Sequence, residues 1–269
     1  METQFIMDKP HLDAYALYIS KFIRAYQEEK IKIEAVHVQN EMNSCQSFPS
    51  CIWRPEDIAV FIGRYLGPKL YSEAQPVDIW LGTIERPQME RIDTVLANTL
   101  AKKYIKGAGF QWAGKDAIAT VHKKYPNLNL MQTETECGDG SNDWKAAEHT
   151  FNLMEHYFKA GAGAYMYWNM ILLKNGLSYW GWKQNAMISV DSMGDYHCNP
   201  EFYLMKHFSN LVEPGAYKIQ ITPDLTNILA FKNPDRSIII ICANLSEQPK
   251  EFVFKNGENK NIKVGAALL

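Results

Sequence analysis

Two kinds of apolar pattern alternate along this chain, and that alternation limits what it can fold into more than any other feature. Apolar residues spaced three and four apart read as helices, and short β-branched or aromatic runs read as strands. Leu12, Tyr15, Ala16, Ile19, Phe22, Ile23 and Tyr26 predict a helix over 10–29, with Pro10 suited to its first turn. A strand is expected over 33–38. Pro55-Glu56-Asp57 then opens a helix with acids in its first turn and Gly67-Pro68 near its end. Strands are expected over 77–82, over 105–112, from Leu128 and over 164–169. Helices are expected over 88–102, 115–125, 144–159 and 200–211.

Strand–helix units of about 30 residues call for a parallel sheet with helices outside it. No Gly-x-Gly-x-x-Gly turn follows the first strand, which argues against a dinucleotide-binding sheet. A closed (β/α)8 TIM barrel takes about 250 residues. Here about 200 residues supply five strands, and a helix comes first, so the α/β fold expected is a partial barrel. Past Glu213-Pro214-Gly215 the texture changes to short β runs at 219–221, 228–231, 238–242 and 251–254, separated by Asn233-Pro234-Asp235 and Asn256-Gly257. That is the pattern of an antiparallel module. The expected division is therefore a barrel portion over 1–213 and a β portion over 214–269.

Composition removes several functions. A net charge of −2 with mixed signs leaves no basic footprint for nucleic acid. No apolar run approaches the roughly 18 residues of a membrane span, and the first residues show no signal-peptide pattern. The five cysteines are too scattered for a disulfide scaffold, although Cys45 and Cys51 share a loop and could bridge in an oxidising compartment. The histidines show neither HExxH nor clustered spacing, so no metal is expected. No Gly-x-Ser-x-Gly elbow is present.

The chemistry lies where strands stop. The run Leu128, Leu130, Met131 ends in Gln132-Thr133-Glu134-Thr135-Glu136-Cys137-Gly138, and an earlier strand ends in His37-Val38-Gln39-Asn40-Glu41. Carboxylates at the carboxyl ends of parallel strands stand on the rim where α/β barrels carry out catalysis. Counting strands places Glu41 and Glu134 across the mouth rather than on neighbouring strands. Paired carboxylates serve glycoside hydrolysis, one as proton donor and one as nucleophile. Glu136 competes with Glu134, since a strand would point both to one face, and spacing does not choose between them. Asn40 can donate to a sugar hydroxyl or to the nucleophile. Gln111-Trp112 and Trp168-Asn169 end two further strands, where an indole can stack on a pyranose and an amide can fix a hydroxyl. Tyr179, Trp180, Trp182, Gln184 and Asn185 form a polar-aromatic loop able to wall such a site. Core packing would account equally well for many of these aromatics.

These residues resemble glycoside hydrolase family 30, the glucosylceramidase-like family. His37-Val38-Gln39-Asn40-Glu41 is similar to its acid/base motif, and Gln132-Thr133-Glu134 with Cys137-Gly138 to its nucleophile motif. Gly109-Phe110-Gln111-Trp112, Tyr167-Trp168-Asn169 and the run from Tyr203 to Ser209 also follow family patterns. The resemblance implies Glu41 as acid/base, and Glu134 rather than Glu136 as nucleophile. It also implies a barrel fused to a β-sandwich, no cofactor, a β-linked glycoside or polysaccharide as substrate, and a secreted or periplasmic setting. Met42 stands where the family usually has Pro after Asn-Glu. Against the family pattern the chain corresponds to about barrel strands 4–8, with the first strands and a last sandwich strand expected to be missing. Two functions follow: a retaining β-glycosidase, or a non-catalytic half-barrel that binds carbohydrate or needs the missing barrel half. For the two carboxyl roles to separate, hydrogen bonds should keep Glu134 ionised while its surroundings keep Glu41 protonated.

Overall fold

The computed structural model describes residues 4–46, 48–73 and 77–255. The chain divides into two compact units, one made of Met1–Glu136 with His156–Tyr167, the other of Cys137–Glu155 with Trp168–Leu269.

The first unit opens with α1 (Lys9–Glu28), whose start is fixed by Asp8 accepting the His11 N–H and by Pro10 in the first turn. Leu12, Ala16, Ile19 and Ile23 form its buried stripe, whereas Phe22 and Tyr26, expected on that face, are exposed. Next come β1 (Ala35–His37) and α2 (Pro55–Phe61). Gly67-Pro68 does not stop this helix. A π turn over Ile62–Leu66 carries it into α3 (Gly67–Ser72), with the Gly67 N–H bonded five residues back to the Ile62 carbonyl. Pro68 then sits in the first turn of a fresh segment, where its missing N–H costs little. Gly67 is required here by space, because a Cβ would stand 2.3 Å from the Tyr104 ring.

Then follow β2 (Asp78–Ile84), α4 (Met89–Ala97), α5 (Thr99–Lys102), β3 (Ile105–Gln111), α6 (Ile118–Lys124) and β4 (Asn129–Glu134). The single helix expected over 88–102 is broken at Asn98, whose side chain caps α5 by accepting from Leu100 and Ala101. The four strands form one parallel sheet in the order β1-β2-β3-β4. Along β2 and β3, Ile79, Leu81, Ala108 and Phe110 enter the hydrophobic core with Trp53, Phe61, Ile23 and Ile118. The intervening Trp80, Gly107, Gly109 and Gln111 point to the other face by the period of two. This is a half-barrel of four parallel strands. The strand expected over 164–169 is reduced to one bridge, between Gln132 and Tyr165. Gln132 uses its side chain there as well, accepting the Met166 N–H at 2.7 Å, so side-chain bonding takes the place of a ladder.

The helix α7 (Trp144–Lys159) occupies the span its pattern predicts. The second unit holds β5 (Ile171–Leu173), β6 (Ile188–Val190) and β7 (Tyr196–Cys198), a small mixed sheet that periodicity did not anticipate because each strand has only three residues. After α8 (Pro200–Leu211) come β8 (Tyr217–Ile219), β9 (Ile228–Lys232) and β10 (Ile238–Cys242), an antiparallel sheet in the order β10-β9-β8. Asn233-Pro234-Asp235 makes the turn between β9 and β10. The run over 251–254 is not a strand, and Asn256-Gly257 with the expected end of the chain lies outside the described residues. No disulfide joins Cys45 and Cys51. Among the described residues no helix is long and apolar enough to cross a membrane.

Candidate active site

The carboxyl end of β1 is carried beyond its formal strand by the Thr83 N–H bonding the Gln39 carbonyl at 2.9 Å. Gln39 then anchors the loop that follows. Its amide donates to the Cys51 carbonyl at 2.6 Å, and its oxygen accepts from Trp53 Nε1 at 3.0 Å and from the Cys51 thiol. Trp53 is buried beneath Phe5, with the ring centroids 4.4 Å apart. Cys51 thus serves as a donor to the Gln39 side chain.

Asn40 and Glu41 follow on this anchored rim. Thr83 Oγ1 donates to Asn40 Oδ1 at 3.0 Å and accepts the Glu41 N–H at 2.9 Å. Glu41 Oε2 accepts from Gln46 Nε2 at 2.6 Å, and Oε1 from Gln111 Nε2 at 3.2 Å. Gln111 also donates to Asn40 Oδ1 at 3.2 Å and accepts from Thr133 Oγ1 at 2.9 Å. It is fully buried, and all of these bonds are internal. Expected to meet a sugar hydroxyl, it instead ties the ends of β1, β3 and β4 together.

Trp112 leaves β3 with φ 47° and begins a 3-10 turn over Trp112–Asp116, which delays the expected helix to Ile118. The turn swings the indole towards β4, where Trp112 Nε1 donates to Glu134 Oε1 at 2.8 Å. Glu134 is the last residue of β4, so Glu136 lies beyond the strand and the expected shared face does not arise. Glu136 pairs with Lys115 at 2.8 Å. Burial pushes the Glu134 carboxyl above the usual range; the Trp112 bond opposes this and the charge of Glu41 adds to it. Desolvation outweighs the one indole donor, so the net direction is upward rather than set by hydrogen bonding as expected.

Thr83 and Glu85, at the end of β2, escaped the sequence reading. Threonine is ordinary in a strand, and nothing local marks its hydroxyl as a partner of a residue 42 positions away. Glu85 stands at the carboxyl end of its strand as Glu41 and Glu134 stand at the ends of theirs, and that repetition was the available signal. His37 lies with its ring 5.8 Å from Trp80, and its Nδ1 is buried without a partner among the described residues. Burial pushes its pKa down to about 4, so it is neutral.

Trp168, Asn169 and Trp180 belong to the second unit. Asn169 Nδ2 donates to Gln184 Oε1 at 3.1 Å and to the Asn185 carbonyl at 3.3 Å, which commits its donors to the loop. Trp180 is partly exposed on a loop closed by the Leu177–Lys183 bridge, its ring 5.5 Å from that of Trp182. Trp168 is half-buried. Among the described residues no three His, Cys, Asp or Glu side chains gather as a metal site.

A parallel α/β half-barrel with glutamates on the carboxyl ends of separate strands is the arrangement of the barrel glycoside hydrolases. The chain belongs to glycosyl hydrolase family 30, whose TIM-barrel domain matches residues 6–212. It is 26% identical over 262 residues to the lysosomal acid glucosylceramidase of Mus musculus, covering 87% of this chain and 50% of that protein. It is 25% identical over 242 residues to the endo-1,6-beta-D-glucanase neg1 of Aspergillus fumigatus, covering 86% and 49%. In fold it is similar to the crystal structure of SrfJ from Salmonella typhimurium, with a TM-score of 0.83 at 22% identity, covering 97% of this chain and 61% of that one. The chain spans about half the length of the curated relatives it matches.

Proposed function

We propose that this chain carries the catalytic pair of a retaining β-glycoside hydrolase. Glu134 attacks the anomeric carbon while Glu41 protonates the departing oxygen. Glu41 then takes a proton from water, which releases the sugar with its configuration kept. The observation that carries the reading is one dipeptide, Gln111-Trp112, whose consecutive side chains hold one glutamate each: Gln111 Nε2 on Glu41 and Trp112 Nε1 on Glu134. The charge of Glu41 also acts on Glu134, raising its pKa, which supports the two carboxylates sharing one site. The ion pair of Glu136 with Lys115 supports Glu134 as the nucleophile.

The relatives named for glucosylceramide and for 1,6-β-glucan make a β-glucoside the first substrate to try. The division into a barrel portion over 1–213 and a sandwich portion over 214–269 belongs to the same reading. It is supported by the family match ending at residue 212 and by the antiparallel sheet that follows. The second reading is carbohydrate binding without turnover.

Incubation with 2-deoxy-2-fluoro-β-glucosyl fluoride, followed by intact mass, tests the proposal. A stoichiometric adduct on Glu134 is expected, and none should form on Glu134→Gln. An adduct on Glu136 would overturn the nucleophile assignment. Folded protein that binds β-glucosides yet forms no adduct favours the second reading.

A further inference from the structure

Glu85 is a carboxylate in a place that costs free energy. It follows β2 directly, is 5% exposed, and burial pushes its pKa above the usual carboxylate range. Among the described residues, its side-chain bonds to other residues go to one turn. Oε1 accepts the Asn43 N–H at 2.9 Å and the Ser44 hydroxyl at 3.2 Å, and Oε2 accepts from Asn43 Nδ2 at 3.3 Å. The turn begins at Glu41, whose carbonyl accepts the Ser44 N–H at 2.9 Å. Glu41 itself sits at φ 51°, a left-handed conformation that a glutamate does not favour by itself. Something outside the turn has to hold it. Thr83 grips the turn at the Glu41 N–H, and Glu85, two residues further along, grips it at Asn43 and Ser44.

We propose that Glu85 is a positioning residue: its carboxylate clamps the turn after Glu41 and so aims the acid/base carboxyl at the leaving oxygen. The assignment rests on the hydrolase reading above. It does not place Glu85 in contact with substrate.

General-acid assistance matters in proportion to how poorly a group leaves, so the leaving group separates aim from fold. In Glu85→Ala, kcat/KM for an alkyl β-glucoside should fall about 10–100-fold, a share of the 10²–10⁴ that a positioned acid contributes. For 2,4-dinitrophenyl β-glucoside, whose phenolate needs no proton, kcat/KM should change less than about twofold. Glu85→Gln should recover most of the loss. Its oxygen still accepts from Asn43 and Ser44, and its amide can donate to Asn43 Oδ1, which is buried without a partner among the described residues of the wild type. Amide exchange at Asn43 should speed up in Glu85→Ala and stay slow in Glu85→Gln, a readout independent of turnover. If Glu85→Ala does not fold, Ser44→Ala removes one of the three bonds and should show the same leaving-group bias at smaller size. Equal losses on both substrates, or unchanged Asn43 exchange, overturn the assignment while the hydrolase reading stands. A wild type inert towards both substrates and unlabelled by the fluoro sugar overturns that reading, and the assignment falls with it.

Discussion

Trp112 and Glu134 show how one residue's backbone sets another's chemistry. The positive φ of Trp112 turns its indole out of β3 and onto the nucleophile candidate. Removing that donor in Trp112→Phe leaves burial and the charge of Glu41, both of which raise the Glu134 pKa. The acidic limb of kcat/KM should move to higher pH. The rate should drop about 10–100-fold, as expected for losing a hydrogen bond to a charged group worth roughly 1.5–3 kcal/mol. A pH–rate profile of both proteins checks this. Stability gives the complementary sign. A carboxyl whose folded pKa lies above its unfolded value of 4.5 favours folding below that pH, and the contribution is lost as pH rises through the folded value. Glu134→Gln, which keeps an oxygen for the indole, should therefore melt higher than wild type near neutral pH, and the gap should close towards about pH 4. His37 runs the other way. Its folded pKa of about 4 lies below the unfolded 6.5, so the stability it contributes is full above 6.5 and lost as pH falls towards 4. His37→Gln should lessen the acid-side loss of melting temperature over that window.

At the scale of elements, β3 shows what a strand must give up to let its neighbours pack. Gly109 lies where a Cβ would stand 2.5 Å from Thr133 Cγ2 and 2.7 Å from His37 Cε1, so side chains from β4 and β1 occupy the space above it. Gly109→Ala should cost about 1–3 kcal/mol by overpacking, read from the denaturant midpoint. The elements legible in the sequence were those whose signals are local and repeated. Both α7 and α8 fell on their expected spans, because one-sided apolar spacing of 12 or 16 residues has few other readings. Elements decided by distant partners were not legible. Asn98 breaks a helix by capping the next one, and the π turn at 62–66 lets Gly67-Pro68 continue a helix. The aromatic run over 164–169 bonds as a single bridge because Gln132 offers its side chain in place of a ladder.

For the whole molecule, the proposed double displacement predicts a product that keeps its configuration. Hydrolysis of a β-glucoside followed by proton NMR should show the β anomer first, with the α anomer growing later by mutarotation; α first would exclude the pairing of Glu41 and Glu134 in these roles. The sequence by itself determined that parallel strands alternate with helices, and that two of those strands run out into glutamates at their carboxyl ends. Hydrophobic periodicity and strand direction are written locally, within a few residues of each position. Only the tertiary structure decided which glutamate of Thr-Glu-Thr-Glu meets Trp112 and which meets Lys115. It alone made Gln111 a tie between strands, and gave Thr83 and Glu85 the turn that carries Glu41. These are hydrogen-bond choices between residues 21 to 71 positions apart. A donor's partner depends on what the fold brings within about 3 Å, and no local pattern encodes that.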